Sequence, residues 1–237
     1  MSSRPSYRAI VSLWAMLCLG GCALTPPAEP ADPAQWHAVT LPGKPPTLYA
    51  SARKDGRDCT SAVSERSASM WRRRLNVPAQ DLREVEFSWW VQDIIEKASV
   101  AEAAHEDSPA RVMFAFEGDT QTLPARTRAL FDLAEALTGE RLPYATLVYV
   151  WDAKAPVGSV IINPRTDRIR KIVVDSGPYE LRRWRDHKRD LVADFRLAFG
   201  EAPGALKAVA LMTDSDNTAT SARAWYGPVH VLPAPKP

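Results

Sequence analysis

From residue 47 onward, short runs of alternating apolar and polar positions dominate the chain and predict strands rather than helices. Thr47–Arg53 and Arg57–Val63 flank Lys54-Asp55-Gly56, a hairpin signature because Asp-Gly accepts positive φ. Ser67–Val77 and Val85–Val91 read as a second pair. In the latter, Val85, Phe87, Trp89 and Val91 face one way, and Glu86, Ser88 and Trp90 the other. Ala110–Phe116 and Tyr144–Trp151 are longer apolar runs suited to central strands. Val157–Ile162 and Ile169–Val174 are joined by turn residues Asn163–Asp167, and Leu206–Thr213 and Ala222–Leu232 close the chain. This count and spacing predict a mainly β fold, a sandwich or jelly roll.

Two helical periods interrupt the strands. Pro124–Leu137 places Leu130, Leu133, Ala134 and Leu137 on one face, with Gly139 as a stop. Asp186–Phe199 turns Leu191, Phe195 and Phe199 inward and ends at Gly200. Both are expected to pack on the sandwich. Gln92–Ser108 is either helix-like or a loop, and no internal repeat or second domain boundary appears.

The N-terminus has a different character. Arg4 and Arg8 precede an apolar run, Ala9–Leu19, too short to span a bilayer and of signal-peptide length. It ends in Leu19-Gly20-Gly21-Cys22, which resembles the bacterial lipobox: small residues let the chain enter a peptidase extended, and the Cys thiol is acylated. The expectation is a signal peptide over residues 1–21, lipidation of Cys22, a proline-rich tether over 22–35 and one domain over 36–237. By resemblance to the sorting rule of Gram-negative lipoproteins, Ala23 implies the outer membrane, on its periplasmic face.

This reading changes the charge and the cysteine count. Without Arg4 and Arg8, the 30 basic residues fall to 28 and equal the acids, so nothing points to nucleic acid. Of three cysteines, Cys18 leaves with the signal and Cys22 is acylated. Cys59 is then without an intramolecular disulfide partner, and a structural thiol is expected.

Ordered landmarks mark the C-terminal half: Asp107-Ser-Pro-Ala-Arg-Val112, Tyr149-Val-Trp151, Pro156-Val-Gly158 and Val174-Asp-Ser-Gly177 come first. Trp184, Arg189-Asp190, Asp194-Phe195, Phe199-Gly200 and Pro203 follow, then Met212-Thr-Asp-Ser-Asp-Asn-Thr218 and Ala224-Trp-Tyr-Gly227. Together they resemble the domain-of-unknown-function 3047 family of bacterial exported proteins, over about Trp36–Leu232. The family brings no established activity. Its pattern is similar to galactose-binding-like jelly rolls, which implies a jelly-roll-like β-sandwich and a glycan as the expected ligand. Two positions depart from the family: Ala219 stands where Gly is usual, and Pro228 where an acid is usual.

Candidate chemistry is sparse. Asp214, Asp216 and Asn217 offer oxygen ligands that suit calcium, or else close a turn through their own backbone. Trp184, Arg189 and Asp194 form either a polar pocket with an aromatic wall or a set of helix-to-sheet contacts, and Arg111 is a further candidate ligand-binding residue. Arg189 and Asp194, five apart on one expected helix, would not share a face. All tryptophans but Trp14 fall in the domain, where sugars could stack on them. Trp90 opposes the Trp89 face, so it is either exposed or covered by Gln92–Ser108. Glu117 and Asp119 alternate correctly for a carboxylate pair or simply form a turn. No G-x-S-x-G, H-E-x-x-H or C-x-x-C motif is present, and His37, His105, His187 and His230 are widely separated. No catalytic residue and no cofactor, calcium aside, is expected. The functional expectation is a lipid-anchored, non-catalytic binding module for an envelope glycan, with an envelope-glycan hydrolase or a structural lipoprotein as alternatives.

Overall fold

A computed structural model describes residues 34–233; the expected signal segment, Cys22 and the tether up to residue 33 lie outside it. The strands in chain order are β1 (His37–Thr40), β2 (Leu48–Lys54), β3 (Arg57–Glu65), β4 (Ser69–Val77), β5 (Leu82–Val91), β6 (Ser108–Phe116), β7 (Ala145–Asp152), β8 (Val160–Ile162), β9 (Ile169–Ser176), β10 (Trp184–Asp190), β11 (Leu206–Asp214), β12 (Ser221–Tyr226) and β13 (His230–Pro233). The helices are α1 (Ala125–Thr138) and α2 (Leu191–Phe199).

These form the expected two-sheet sandwich with two helices. The first sheet runs β1-β4-β11-β6-β7-β9-β8, and the second β10-β5-β12-β3-β2, with β13 also on β5. From β3 to β6, and again from β10 to β12, consecutive strands alternate between sheets, as a jelly-roll winding requires. Among the described residues, only β7 and β9 pair in parallel. The core between the sheets is aromatic: Phe87 and Trp89 of β5 meet Phe114 of β6 and Tyr149 and Trp151 of β7. Each such ring removed from water contributes roughly 1.5–3 kcal/mol.

The β2–β3 hairpin forms as read, with Lys54 opposite Arg57 and Asp55 (φ 46) and Gly56 (φ 81) both left-handed. Both helix stops are also where the glycines put them, at left-handed Gly139 and Gly200.

Three expectations need correction. The stretches read as a second pair do not pair, because Pro78 and a 3-10 turn over Ala79–Asp81 carry the chain from β4 in one sheet to β5 in the other. Each strand's apolar face then finds its own layer. The expected helix over 186–199 begins only at Leu191; Trp184–Asp190 is an edge strand paired with β5. Its alternation sets Arg185, His187 and Arg189 against Asp186 and Lys188, polar against polar, which a hydrophobic pattern does not reveal. The α1 leucines face solvent, with Leu130, Leu133 and Leu137 exposed by 40%, 56% and 71%, and Phe131 is the buried anchor. Gln92–Asp107, open between helix and loop in the sequence, is irregular and crosses the outer face of the first sheet, where Val100 packs on Val148, Val150 and Val173.

Candidate functional site

The outer face of the second sheet carries a row of tryptophans. Strand register puts Trp184 of β10 directly opposite Trp90 of β5, and Trp90 opposite Trp225 of β12. Neighbours in register share a face, so three indoles lie side by side. Trp90 is the buried centre, 6% exposed, edge-on to Trp225 at 5.0 Å between centroids. Gln92–Ser108 does not cover it. The β2–β3 turn does: Lys54 Nζ lies 3.8 Å from the Trp90 centroid, and Trp90 Nε1 donates to Asp55 at 2.7 Å. Trp184 Nε1 donates to the Lys54 carbonyl at 3.1 Å, while the Arg57 guanidinium rides 5.1 Å from its ring. Trp184 and Trp225 stay half-buried.

One register step along, the same face opens into a cleft of about 380 Å³ lined by Glu86, Ser88, Asp186, Lys188, Pro228 and His230. Arg57 and Asp186 pair at 2.6 Å on its rim. Lys188 holds Glu84 at 2.8 Å and Glu86 at 3.5 Å, and its ammonium pKa is raised by them, first through the hydrogen bond to Glu84. The Trp-Tyr-Gly landmark gains a reason here. A Cβ on Gly227 would sit 2.2 Å from Ser88 Oγ, so a larger residue there would force that hydroxyl to turn away. Aromatic faces beside convergent polar groups suit a ligand with apolar C–H faces and many hydroxyls.

Arg189 and Asp194 also meet, against expectation, because Arg189 is on β10 and Asp194 in the first turn of α2. Arg189 makes a two-pronged bond to Asp194, at 2.8 Å on each arm, and Tyr149 Oη donates to the same carboxylate at 2.7 Å. Burial, and then the Asp194 charge, raises the Tyr149 phenol well above its usual range. This group fixes α2 to the core and lies on the other side of β10 from the cleft.

Arg111 lies in neither group. It is buried on the outer face of the first sheet, donates to the Glu106 carbonyl at 2.5 Å and pairs with Asp214 at 3.1 Å. Gln92–Asp107 roofs it over, so its place as a ligand-facing residue is corrected to a structural one. Beside it, Lys171 is fully buried, 2.7 Å from Glu106 Oε1, with Arg165 on the other carboxylate oxygen.

Asp214 and Asp216 do come together, and with them Asp107, which the metal expectation missed; each offers an oxygen within 4.8 Å of the others. Two side-chain cations already answer this cluster, Arg111 at Asp214 and Lys44 at Asp216. Asn217, the third expected ligand, turns its amide nitrogen to the Ala103 carbonyl at 2.9 Å. Asp107 accepts from the Asn217 and Thr218 backbone N–H groups and from Thr218 Oγ1. The loop is thus closed by a carboxylate more than a hundred positions upstream, which gives Asp107 a turn role. Ala219, at the family's glycine position, is left-handed with φ 53. Because an L-residue pays about 1–2 kcal/mol there, Ala219→Gly is expected to raise stability by roughly 0.5–1 kcal/mol after the unfolded-chain entropy is counted. Urea unfolding with an unchanged slope checks it.

The remaining candidates are structural. Asp119 caps a 3-10 turn through Gln121 N, and Glu117 faces Lys207 at 3.7 Å. Cys59 is free and half-buried, its Sγ 3.4 Å from the Ala52 carbonyl, and burial pushes its thiol pKa up. Trp225 was legible as a tryptophan, but not as a partner of Trp90, since cross-strand register is not written locally.

No curated protein matches the chain in sequence. Among solved structures it is similar to one described as "CBM4 structure and function" (TM-score 0.41, 7% identity, covering 86% of this chain and 90% of that one). It is similar also to the xyloglucanase domain of NopAA, a type three effector from Sinorhizobium fredii, in complex with cellobiose (TM-score 0.44, 8% identity, 84% and 93% covered). Likenesses this distant carry no argument about ligand or activity. A family model described as "Protein of unknown function (DUF3047)" matches residues 34–230, nearly the whole described sandwich, and the chain belongs to that family.

Proposed function

We propose that this protein is a non-catalytic glycan-binding module, held at the periplasmic face of the outer membrane by acylation of Cys22. The observation that carries the binding reading is the Trp184–Trp90–Trp225 row beside the Glu86/Ser88/Asp186/Lys188 cleft. A sugar ring stacks a C–H face on the half-exposed indole of Trp184 or Trp225, and the cleft's carboxylates, hydroxyl and ammonium take up its hydroxyls. The lipobox supports the anchor. No helix among the described residues is long and apolar enough to cross a membrane.

The test is calorimetric titration of the mature protein with peptidoglycan fragments and lipopolysaccharide oligosaccharides. At least one should bind, and Trp184→Ala should weaken it about tenfold, the loss of roughly 1–1.5 kcal/mol of ring contact. Unchanged affinity in Trp184→Ala and Trp225→Ala rules out the tryptophan row. Turnover of an envelope glycan in place of simple binding would make the protein a hydrolase.

A further inference from the structure

We propose that α1 lies in the surface of the phospholipid bilayer that holds Cys22, giving the domain a second, interfacial membrane contact; this rests on the lipid-anchored reading above. The solvent side of α1 carries an apolar stripe, with exposed Asp132 and Glu135 beside it. Ala129, Leu130, Leu133, Ala136 and Leu137 are all exposed, while one ring, Phe131, ties the helix to the domain. At 100° per residue, Leu130, Leu133 and Leu137 form one stripe, and Asp132 and Glu135 turn aside from it. A free surface of this kind is one a soluble helix ordinarily hides.

Charge and chain path say what covers it. Arg126 extends the leucine stripe toward the helix N-terminus, beside a cleft of about 370 Å³ whose lining also includes Leu130, Asp167 and the Glu106-paired Arg165. A guanidinium at the end of an apolar stripe matches a bilayer, with its acyl region below and its phosphates above. The other end of α1 marks where the anchored chain arrives. Glu140, two residues past α1, is gripped by both arms of Arg72 at 2.7 Å, and His37, near the start of the described chain, lies 3.5 Å from the same guanidinium. From Cys22 to Ala34 is a dozen residues, which reach at most about 40 Å. The tether therefore enters the fold beside the apolar helix, within reach of the membrane. Fourteen residues make α1 far too short to span, so it lies in the interface.

The mature acylated protein carrying Cys59→Ser and Leu133→Cys, labelled at the new thiol with an environment-sensitive dye, decides the matter in vesicles of phosphatidylethanolamine and phosphatidylglycerol. Flotation reads the anchor, and quenching by brominated lipid reads the helix. The expected result is a blue-shifted emission quenched about threefold more than the same dye at Asp58→Cys on the opposite sheet. Equal quenching at both positions on protein that floats overturns the helix contact and leaves the anchor standing. A blue shift without quenching that grows with protein density overturns it in favour of a second copy. Protein that carries no acyl group and does not float overturns the anchor, and the helix contact with it.

Discussion

Replacing Asp175 by alanine is expected to lower the free energy of unfolding by about 3–5 kcal/mol, the cost of stripping the partner from buried polar and charged groups. Asp175 is 2% exposed and accepts three bonds: from Trp89 Nε1 at 2.7 Å, His187 Nε2 at 2.9 Å and Arg185 Nε at 3.1 Å. Burial by itself would raise its pKa, but the bond and charge of His187, then Trp89 and Arg185, hold it below the usual carboxylate range. Its position depends on a bulge. Val150 faces Val173, yet Trp151 faces Asp175, so one extra residue in β9 turns the carboxylate inward with Trp151. Once it is gone, the Trp89 indole N–H is stranded between the sheets, and His187, packed against Phe87 and Trp89, loses its orienting partner. Thermal unfolding should drop by roughly 10 °C for a domain of this size. Asp175→Asn, which keeps an acceptor and the shape, should lose less. An alanine variant within 1 kcal/mol of the parent would mean that water satisfies these donors.

What could be read from the sequence depended on how local the determining physics is. The β2–β3 hairpin was legible because its turn requires Asp55 and Gly56 and nothing else. The inward face of β5 was legible because four large apolar residues alternate with polar ones. By contrast, β10 alternates only between kinds of polar residue, so its second face, with Arg185, His187 and Arg189, looked like part of a helix. Asp175 appeared only as a family landmark, since a bulge reverses a strand's facing without any change in composition. The candidate site was half legible: Trp90 and Trp184 were marked individually, but their adjacency to Trp225 comes from pairing between strands far apart in the chain. The α1 leucines show the opposite failure. Their periodicity was real, but it records an apolar face and not what that face meets.

The buried charge cluster under Gln92–Asp107 should give the protein an unusual pH profile. Burial, joined by the neighbouring carboxylates of Asp107 and Asp216 and opposed by Arg111, pushes the Asp214 carboxyl up to about 7. In the unfolded chain the same group titrates near 3.9. Between about pH 4 and 7 the folded state therefore holds a proton that the unfolded state has released, and stability falls as pH rises through this window. Lys171 acts in the complementary range. Burial and Arg111 lower its ammonium to about 8 against the pull of Glu106, so stability contributed by its neutral form is lost as pH falls from above 10 through 8. The two limbs leave the cluster at its weakest near pH 7–8. Glu140, held to about 2 by Arg72 and Arg74, titrates below this range. Denaturant unfolding of the parent at pH 5, 6 and 7 should show a decline of up to about 1.4 kcal/mol per unit, one proton's worth. Asp214→Asn should flatten that decline, and Lys171→Met should leave it intact while removing the alkaline limb. Parallel profiles for parent and Asp214→Asn would show that Asp214 stays ionised in the fold, with Arg111 at 3.1 Å outweighing the burial.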